Sequence, residues 1–290
     1  MISGRALHYV FKVAKRAETM DFYRKVLGMK VRPVLRHEEF TEGCEALCNG
    51  PYDNRWSKTM VGYGPEASHF VVELTYNYGV KHYEMGNDFG GIMIRSSQVI
   101  ERAKALNYPF TMENGKHVLT SPCGYKFFII NESQPTDKDP IVQITLNVTD
   151  LPKSVYYWNT TLQMKIVVQT DNNAVLTYGE NQARLQLNKI QEPLNRAQAY
   201  GRIAFGVPLD VQPKIQEMIK KNNWPILTDL LKLDTPGKAT VRVIILADPD
   251  GHEICFVDEE GFGELSQFDP EGEALLDKHI KKDPFEEKKN

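Results

Sequence analysis

The amino-acid sequence predicts an α+β fold built from four βαβββ modules, two in each half of the 290-residue chain. Two observations predict this fold: the chain repeats itself in order, and each half alternates strand-like and helix-like segments in the same succession. A polar, proline-containing linker at 132–140 separates the halves, as expected at a domain boundary. We therefore predict two related domains, at 5–132 and 140–258, followed by a charged C-terminal tail at 259–290.

The internal repeat consists of short matches that occur in the same order in both halves. The longest places HYVFKVAKRAETMDFYRKVLGMKV (8–31) above QITLNVTDLPKSVYYWNTTLQMKI (143–166), with apolar and aromatic positions in register. Shorter matches follow: MVGYG (60–64) with VLTYG (175–179), FGGIMI (89–94) with YGRIAF (200–205), and SPCGYKFFII (121–130) with DPDGHEICFV (248–257). No single match is strong, but the ordered series indicates duplication with insertions and deletions in the loops.

The first module of each half begins with an apolar strand followed by a helix. The strands are predicted at 6–13 and 141–148, and the helices at 17–27 and 152–162. Asp150 suits the N-cap of the second of these helices, and the proline that follows suits its first turn. Three strands then complete each module, near 30–36, 57–64 and 68–75 in the first half and near 164–169, 173–179 and 182–188 in the second.

The second module of each half repeats this order of strands and helix. Its elements are strands at 92–95 and 203–207, helices at 98–107 and 211–222, and closing strands at 125–131 and 252–258. The tail is rich in charged residues, so we expect a short helix at 270–281, a frayed end and mostly solvated side chains.

Composition and charge limit the classes of function. Apolar residues make up 41% and charged residues 25% of the chain, the values of an ordinary globular protein rather than a disordered one. The net charge of −3 lacks the basic excess of proteins that coat nucleic acids. No apolar run is long enough to cross a membrane as a helix. We therefore expect no nucleic-acid partner and no membrane partner.

The N-terminus and the cysteines bear on localisation. Residues 1–17 lack the apolar segment of a secretory signal, but they carry basic residues and no acid, so a mitochondrial address stays open beside a cytoplasmic location. The four cysteines are few for this length, which favours reduced thiols in an intracellular compartment.

Three segments carry the most specific resemblance to a known family: FYRKVLGMKV (22–31), VELTYNYGVKHYEMGNDFG (72–90) and DPDGHEI (248–254). With the repeated βαβββ pattern, they resemble the glyoxalase branch of the vicinal oxygen chelate superfamily, in particular the double-length glyoxalase-domain proteins of animals. This resemblance covers about residues 5–260. It implies the glyoxalase/bleomycin-resistance-like fold, in which two modules curl into an incomplete barrel. It also implies a divalent metal (Zn²⁺, Ni²⁺ or Co²⁺) at the barrel mouth, unless the site has lost it.

The resemblance also implies candidate site residues by position. In glyoxalase I, four side chains from two facing modules hold the metal, and a carboxylate removes the proton. The first two positions fall on His8 and Glu73, which we predict as metal ligands, with Glu73 also the catalytic group. If the facing modules come from opposite halves, Arg202 and Cys255 complete this mouth, and Arg202 is a predicted substrate contact. The other mouth then has no histidine or carboxylate, and its four positions are Gln143, Gln186, Gly91 and Phe128.

Two hypotheses from different classes follow. The first is a metal-dependent lyase or isomerase similar to lactoylglutathione lyase, which acts on a small carbonyl–glutathione adduct. The second is a metal-free scaffold that binds a small molecule or a protein partner, because a functional zinc site needs at least three protein ligands and arginine cannot ligate. In the scaffold, Arg202 would pair with Glu73 and replace the charge of the metal. Both hypotheses are compatible with a monomer, because the fused halves supply the pairing of modules.

Three features near the first barrel have alternative interpretations. The segment 42–56 has the composition of a loop that covers a barrel mouth, which makes Trp56 a candidate substrate contact, although a packed surface loop is the simpler interpretation. Residues 37–39 (His-Glu-Glu) predict a solvated strand edge. Cys44 and Cys48 would share a helix face, but without a second pair a structural role is favoured over metal binding.

Overall fold

The structure is a computed structural model that describes residues 2–29, 34–234 and 238–285. Within these ranges, sixteen strands form two sheets of eight strands each. The strands of the first half are β1 (Arg5–Lys12), β2 (Val34–Phe40), β3 (Trp56–Val61), β4 (Val71–Asn77), β5 (Phe89–Arg95), β6 (Phe110–Glu113), β7 (Lys116–Thr120) and β8 (Lys126–Ile130). Those of the second half are β9 (Ile141–Val148), β10 (Lys165–Gln169), β11 (Asn173–Thr177), β12 (Arg184–Lys189), β13 (Arg202–Val207), β14 (Ile226–Asp234), β15 (Thr240–Ala247) and β16 (Glu253–Asp258).

A helix follows the first strand of every module, and the tail adds two more. The helices are α1 (Arg16–Asp21), α2 (Ser97–Ala105), α3 (Leu151–Val155), α4 (Gln212–Lys221), α5 (Glu259–Leu265) and α6 (Gly272–Lys282). In the opening module of each half, the helix continues as a π-helical segment, Phe22–Leu27 after α1 and Tyr156–Thr161 after α3. The Asp150 carboxylate accepts the backbone N–H of Lys153 at 3.0 Å, which confirms the predicted N-cap. Across the described residues, no helix has the length and apolar character needed to span a membrane.

Each sheet joins one module from the first half to one module from the second. The first sheet has the order β14-β15-β16-β13-β1-β4-β3-β2, and the second has the order β10-β11-β12-β9-β5-β8-β7-β6. At the seams, β1 pairs antiparallel with β13 and β5 pairs antiparallel with β9. The predicted fold of four βαβββ modules in two incomplete barrels is confirmed, and the facing modules come from opposite halves. Part of one predicted strand, residues 30–33, lies outside the described residues.

One aromatic core connects the two sheets. The ring of Phe11 on β1 stacks on Tyr125, just before β8, with 3.9 Å between ring centroids. The Tyr125 hydroxyl donates to the backbone carbonyl of Lys12 at 2.9 Å, so this buried phenol is hydrogen-bonded as well as packed. Phe127 on β8 extends the contact to Phe22 in the first helical segment. These contacts hold the sheets in a fixed relation and so fix the position of both barrel mouths.

The C-terminal tail packs on the first sheet, contrary to the expected solvation. Helix α5 contacts β13, β15 and β16, while α6 lies against β2. Leu276 of α6 is fully buried, and Asp283 is buried and paired with Arg16 at 2.8 Å. His37 on β2 is also buried, so the predicted solvated edge at 37–39 is wrong. Although the tail is mostly charged, α6 has an apolar face, with Leu276 and Ile280, and α6 covers this edge.

Candidate functional site

The side chains of His8 and Glu73 meet on one face of the first sheet. Strands β1 and β4 are parallel neighbours in which Val10 pairs with Glu73 and His8 pairs with Val71. Because residues two apart on a strand share a face, His8 and Glu73 project from the same side. The distance from His8 Nε2 to Glu73 Oε2 is 3.5 Å, and both residues are buried. The structure therefore brings together the two principal residues of the predicted site.

Burial shifts the pKa values of His8 and Glu73 in opposite directions. Desolvation lowers the pKa of His8 to about 3, so its imidazole is neutral at physiological pH. Desolvation also raises the pKa of Glu73, while the positive charges of Lys58 and Arg36 act against that shift. Among the described residues, His8 Nδ1 has no hydrogen-bond partner. The site thus combines a carboxylate of increased basicity with a neutral imidazole that contacts it.

A network of buried ion pairs surrounds the pair and was not predicted. The Arg36 guanidinium on β2 donates to Glu66 through Nε at 3.0 Å and through Nη2 at 3.3 Å. Glu38, two residues further on the same face, forms ion pairs with Lys58 at 3.1 Å and with Lys238 at 2.6 Å. The opposite charges at positions 36 and 38 could have indicated this network in the sequence, but charged residues two apart on a strand ordinarily indicate a solvated face.

Arg202 lies on the same face but pairs with Glu253 rather than Glu73. The two residues are directly opposite each other on β13 and β16, and Arg202 donates to Glu253 Oε2 through Nη2 at 2.8 Å and through Nε at 3.0 Å. The predicted Arg202–Glu73 pair is therefore wrong, because a carboxylate on the adjacent strand is the nearer partner. Cys255 is directly opposite Ala204, and burial raises the pKa of its thiol to about 12.

The donor set at this mouth does not fit a metal ion held by three or more protein ligands. His8 and Glu73 are two suitable donors, but Arg202 remains protonated and hydrogen-bonded. The Cys255 thiol would have to ionise against a strongly raised pKa. Arg36 adds a second buried guanidinium beside the pair. The family resemblance implies four protein ligands, whereas this mouth has two suitable donors and two arginine cations.

A loop and a tail helix cover the mouth. Arg202 donates to the carbonyl oxygens of Ala46 and Leu47, at 2.9 and 3.4 Å, and so ties the loop between β2 and β3 to β13. Phe262 of α5 lies over His8, with 6.0 Å between the ring centroids. A ligand must therefore displace part of this cover to reach Glu73.

Other residues of the covering loop have structural partners. Trp56 begins β3, stacks on Phe40 with 4.2 Å between centroids, and donates its indole N–H to the Glu42 carbonyl. Its ring and its indole N–H are therefore engaged within the protein, and its predicted contact with substrate stays a prediction. Cys44 and Cys48 are paired as a disulfide in this loop, contrary to the expectation of reduced thiols for this pair.

The four predicted positions of the second mouth are occupied by amide and apolar residues. The Gln143 side-chain amide donates to Gln186, so these two positions bind each other. Gly91 has a φ of 131°, and a Cβ atom there would lie 2.6 Å from the Phe128 ring, which explains glycine at this position. Next to Gln143 lies a cavity of about 300 Å³, whose lining includes the cationic residues Arg95, Lys138 and Arg184.

Comparison with protein families matches both halves of the chain. Residues 5–137 match the glyoxalase/bleomycin resistance protein/dioxygenase superfamily, and residues 150–265 match the C-terminal domain of glyoxalase domain-containing protein 4-like proteins. The chain is 52% identical to glyoxalase domain-containing protein 4 of Mus musculus, over 99% of this chain and 96% of that protein. It is 48% identical to a Caenorhabditis elegans protein named glyoxalase 1, over 98% of this chain and 99% of that protein.

A solved structure shares the arrangement of both sheets. The crystal structure of glyoxalase I from Zea mays superposes with a TM-score of 0.74 at 26% identity. The match covers 91% of this chain and 95% of the maize chain. The similarity therefore extends over both halves rather than over a single module.

Proposed function

Because the chain belongs to the glyoxalase superfamily, we propose that its first mouth binds a small carbonyl adduct of glutathione and isomerises it by proton transfer at Glu73. The observation that carries the proposal is the buried contact between Glu73 and the neutral His8 imidazole at 3.5 Å. The names of the nematode and maize relatives, glyoxalase 1 and glyoxalase I, support the same reaction class.

Glu73 is the group that moves the proton in this proposal. Its carboxylate takes the proton from the carbon next to the substrate carbonyl and returns it to the former carbonyl carbon, while the hydroxyl proton passes to the former carbonyl oxygen, so the net change is an isomerisation. Burial favours this role because it raises the pKa of Glu73. The negative charge that develops on the substrate oxygen would be countered by Arg36, Lys58 and Arg202, the cations that already act on this carboxylate.

His8 acts as a positioning residue for Glu73. Its imidazole is neutral and lies beside the carboxylate, so it holds Glu73 without neutralising it. The two residues alone do not supply a three-ligand metal site, and the proposed step therefore uses only side chains of this chain. In this respect the proposal departs from the metal-dependent form of the lyase hypothesis.

A second candidate function is binding of an anionic small molecule without chemistry. The cavity of about 300 Å³ beside Gln143 favours it, because its three cationic lining residues, named above, outnumber its one acidic residue, Asp139. A carboxylate or phosphate of metabolite size suits such a surface. Since this cavity belongs to the second sheet, mutations in it test the binding function without altering the first mouth.

The chain arrangement also supports a monomer. Each sheet is assembled from two modules of the same chain, so the pairing at the seams β1–β13 and β5–β9 needs no second copy. A single species of about 33 kDa in solution would agree with this proposal. A stable dimer would contradict it.

The test of the proposed activity uses the full chain and the natural reactants of a glyoxalase. Elemental analysis of the purified protein precedes an assay of lactoylglutathione formation from methylglyoxal and glutathione, with no added metal and with Zn²⁺, Ni²⁺ or Co²⁺. We expect turnover above the buffer rate that persists after removal of metal by a chelator. No turnover under any condition would overturn the proposal, and turnover that depends on one added metal would overturn its metal-free form.

A further inference from the structure

Three potential metal ligands meet on the face of β2 that is opposite the candidate active site. His37 Nε2 lies 3.0 Å from His279 Nδ1 and 3.3 Å from Glu39 Oε1, and His279 Nδ1 lies 3.3 Å from the same oxygen. His37 and Glu39 share a face because they are two residues apart on β2. The third donor, His279, comes from α6, which packs against this strand.

We propose that His37, Glu39 and His279 bind a divalent transition-metal ion of the zinc type, which clamps α6 to β2. Two imidazoles and one carboxylate are a donor set that zinc and similar ions accept. Ligands that each lie 2.0–2.1 Å from a tetrahedral zinc ion are about 3.3 Å apart, close to the separations of these atoms. The fourth position would hold water or another exogenous ligand.

One tautomer of His37 has a free lone pair at Nε2. Its other ring nitrogen, Nδ1, lies 2.9 Å from Thr59 Oγ1 on β3. When Nδ1–H donates to this hydroxyl, the Nε2 atom is unprotonated and faces the other two donors. Outer-shell hydrogen bonds of this kind orient histidine ligands in metal sites.

Glu39 is also held in place by several donors. Arg55 donates to Glu39 Oε2 through Nη2 at 2.8 Å, and the Tyr78 hydroxyl donates to Oε1 at 2.7 Å. The neutral Tyr78 hydroxyl therefore orients Oε1 before any ion arrives, which lowers the cost of ordering it, whereas Arg55 also adds positive charge. Such preorganisation leaves Oε1 aimed at both imidazoles.

Two nearby guanidinium groups, those of Arg16 and Arg55, oppose the binding of a positive ion. Arg16 Nη1 lies 3.3 Å from Glu39 Oε1, although its Nη2 is paired with Asp283 at 2.8 Å. The carboxylates of Glu39 and Asp283 balance the guanidinium groups of Arg16 and Arg55, so the ion enters a cluster of zero formal charge. The rival arrangement is a metal-free hydrogen-bonded network of the same groups. Removal of the half-exposed Arg55 should therefore strengthen metal binding.

The site is physically separate from the candidate active site. Arg36 and Glu38, which belong to the active-site network, alternate along β2 with His37 and Glu39. The proposed ion therefore lies on the opposite side of the first sheet from His8 and Glu73. Variants can address each site without touching the other.

The experiment titrates the full chain, freed of metal by a chelator, with Co²⁺ and follows the visible absorption of the bound ion. We expect one bound Co²⁺ per chain that Zn²⁺ displaces. His279 is partly exposed on the tail helix, so H279Q is the least disruptive ligand variant, and the exposed His82 provides the control H82Q. H279Q should weaken Co²⁺ binding by more than the roughly 10-fold that loss of even an outer-shell partner causes, whereas H82Q and H8Q should leave it unchanged.

A second measurement tests the clamp itself. Zn²⁺ should raise the midpoint of thermal unfolding and slow hydrogen exchange in α6 for the unmodified chain but not for H279Q. R55Q should increase the affinity for Co²⁺. Absence of Co²⁺ binding in the unmodified chain, or Co²⁺ binding that H279Q leaves unchanged, would overturn the proposal. Binding without slower exchange in α6 would overturn the clamp.

Discussion

Replacement of Glu66 by glutamine should destabilise the protein strongly by leaving Arg36 without its main partner. The Arg36 and Glu66 side chains are only 2% and 1% exposed, and two N–H groups of the guanidinium reach the carboxylate at 3.0 and 3.3 Å. The remaining carboxylate, Glu38, is 3.5 Å from Arg36 and already binds two lysines. E66Q therefore leaves a buried cation whose charge is only partly balanced.

The expected loss in the free energy of unfolding is about 3–5 kcal/mol, the cost of breaking a buried ion pair by removing one partner. Urea unfolding at neutral pH, followed by circular dichroism and by fluorescence, measures this loss. The matched control is E113Q, which removes the exposed pair of Glu113 with Lys126 at 3.2 Å. Because that pair is solvated, its loss should cost less than about 1 kcal/mol.

A double variant separates the loss of a contact from the burial of an unpaired charge. R36M/E66M replaces both charges by apolar groups and should recover most of the stability that E66Q loses, because burying such a pair gives little net stabilisation. If E66Q lowers the free energy of unfolding no more than E113Q does, or if R36M/E66M is less stable than E66Q, the Arg36–Glu66 pair does not have the role assigned to it.

Three further variants test other parts of the structure by urea unfolding. Burial lowers the pKa of Lys12 to about 7, so above that pH the unfolded chain binds more protons than the folded chain. The free energy of unfolding should therefore rise from pH 7 to pH 9, and K12M should reduce this rise. G91A should cost about 1–3 kcal/mol because its Cβ would lie 2.6 Å from the Phe128 ring, whereas G263A, with open space around the new atom, should be neutral or slightly stabilising. D150A should cost about 0.5–2 kcal/mol by removing the N-cap of α3. The first prediction is contradicted if the free energy of unfolding of the unmodified protein does not change with pH. The second is contradicted if G91A and G263A change it equally, and the third if D150A leaves it unchanged.

The sequence was sufficient to predict the modules because duplication leaves a pattern that local propensity alone does not. The ordered matches located every strand that begins a module, and Asp150 marked one helix start. The pairing of modules across halves depends on long-range contacts at β1–β13 and β5–β9, which no local pattern specifies. It was therefore predicted only as a condition for completing the mouth.

The candidate site was predicted in part, and the errors have a common physical cause. His8 and Glu73 follow from family positions, and their proximity follows from parallel pairing of β1 with β4. The partner of Arg202 was missed because Glu253 becomes its neighbour only when β13 pairs with β16. The burial of His37 was missed because α6, which covers it, is distant in sequence.

The role of Glu73 as the proton-transfer group is tested by comparing E73Q with the control E101Q, which alters an exposed glutamate on α2, in the lactoylglutathione assay. Both variants should fold with the circular dichroism spectrum of the unmodified chain. If Glu73 moves the proton, E73Q should lose at least about 100-fold in turnover, the lower range for removal of a general base, while E101Q should retain full activity. Turnover by E73Q equal to that of E101Q would contradict the claim.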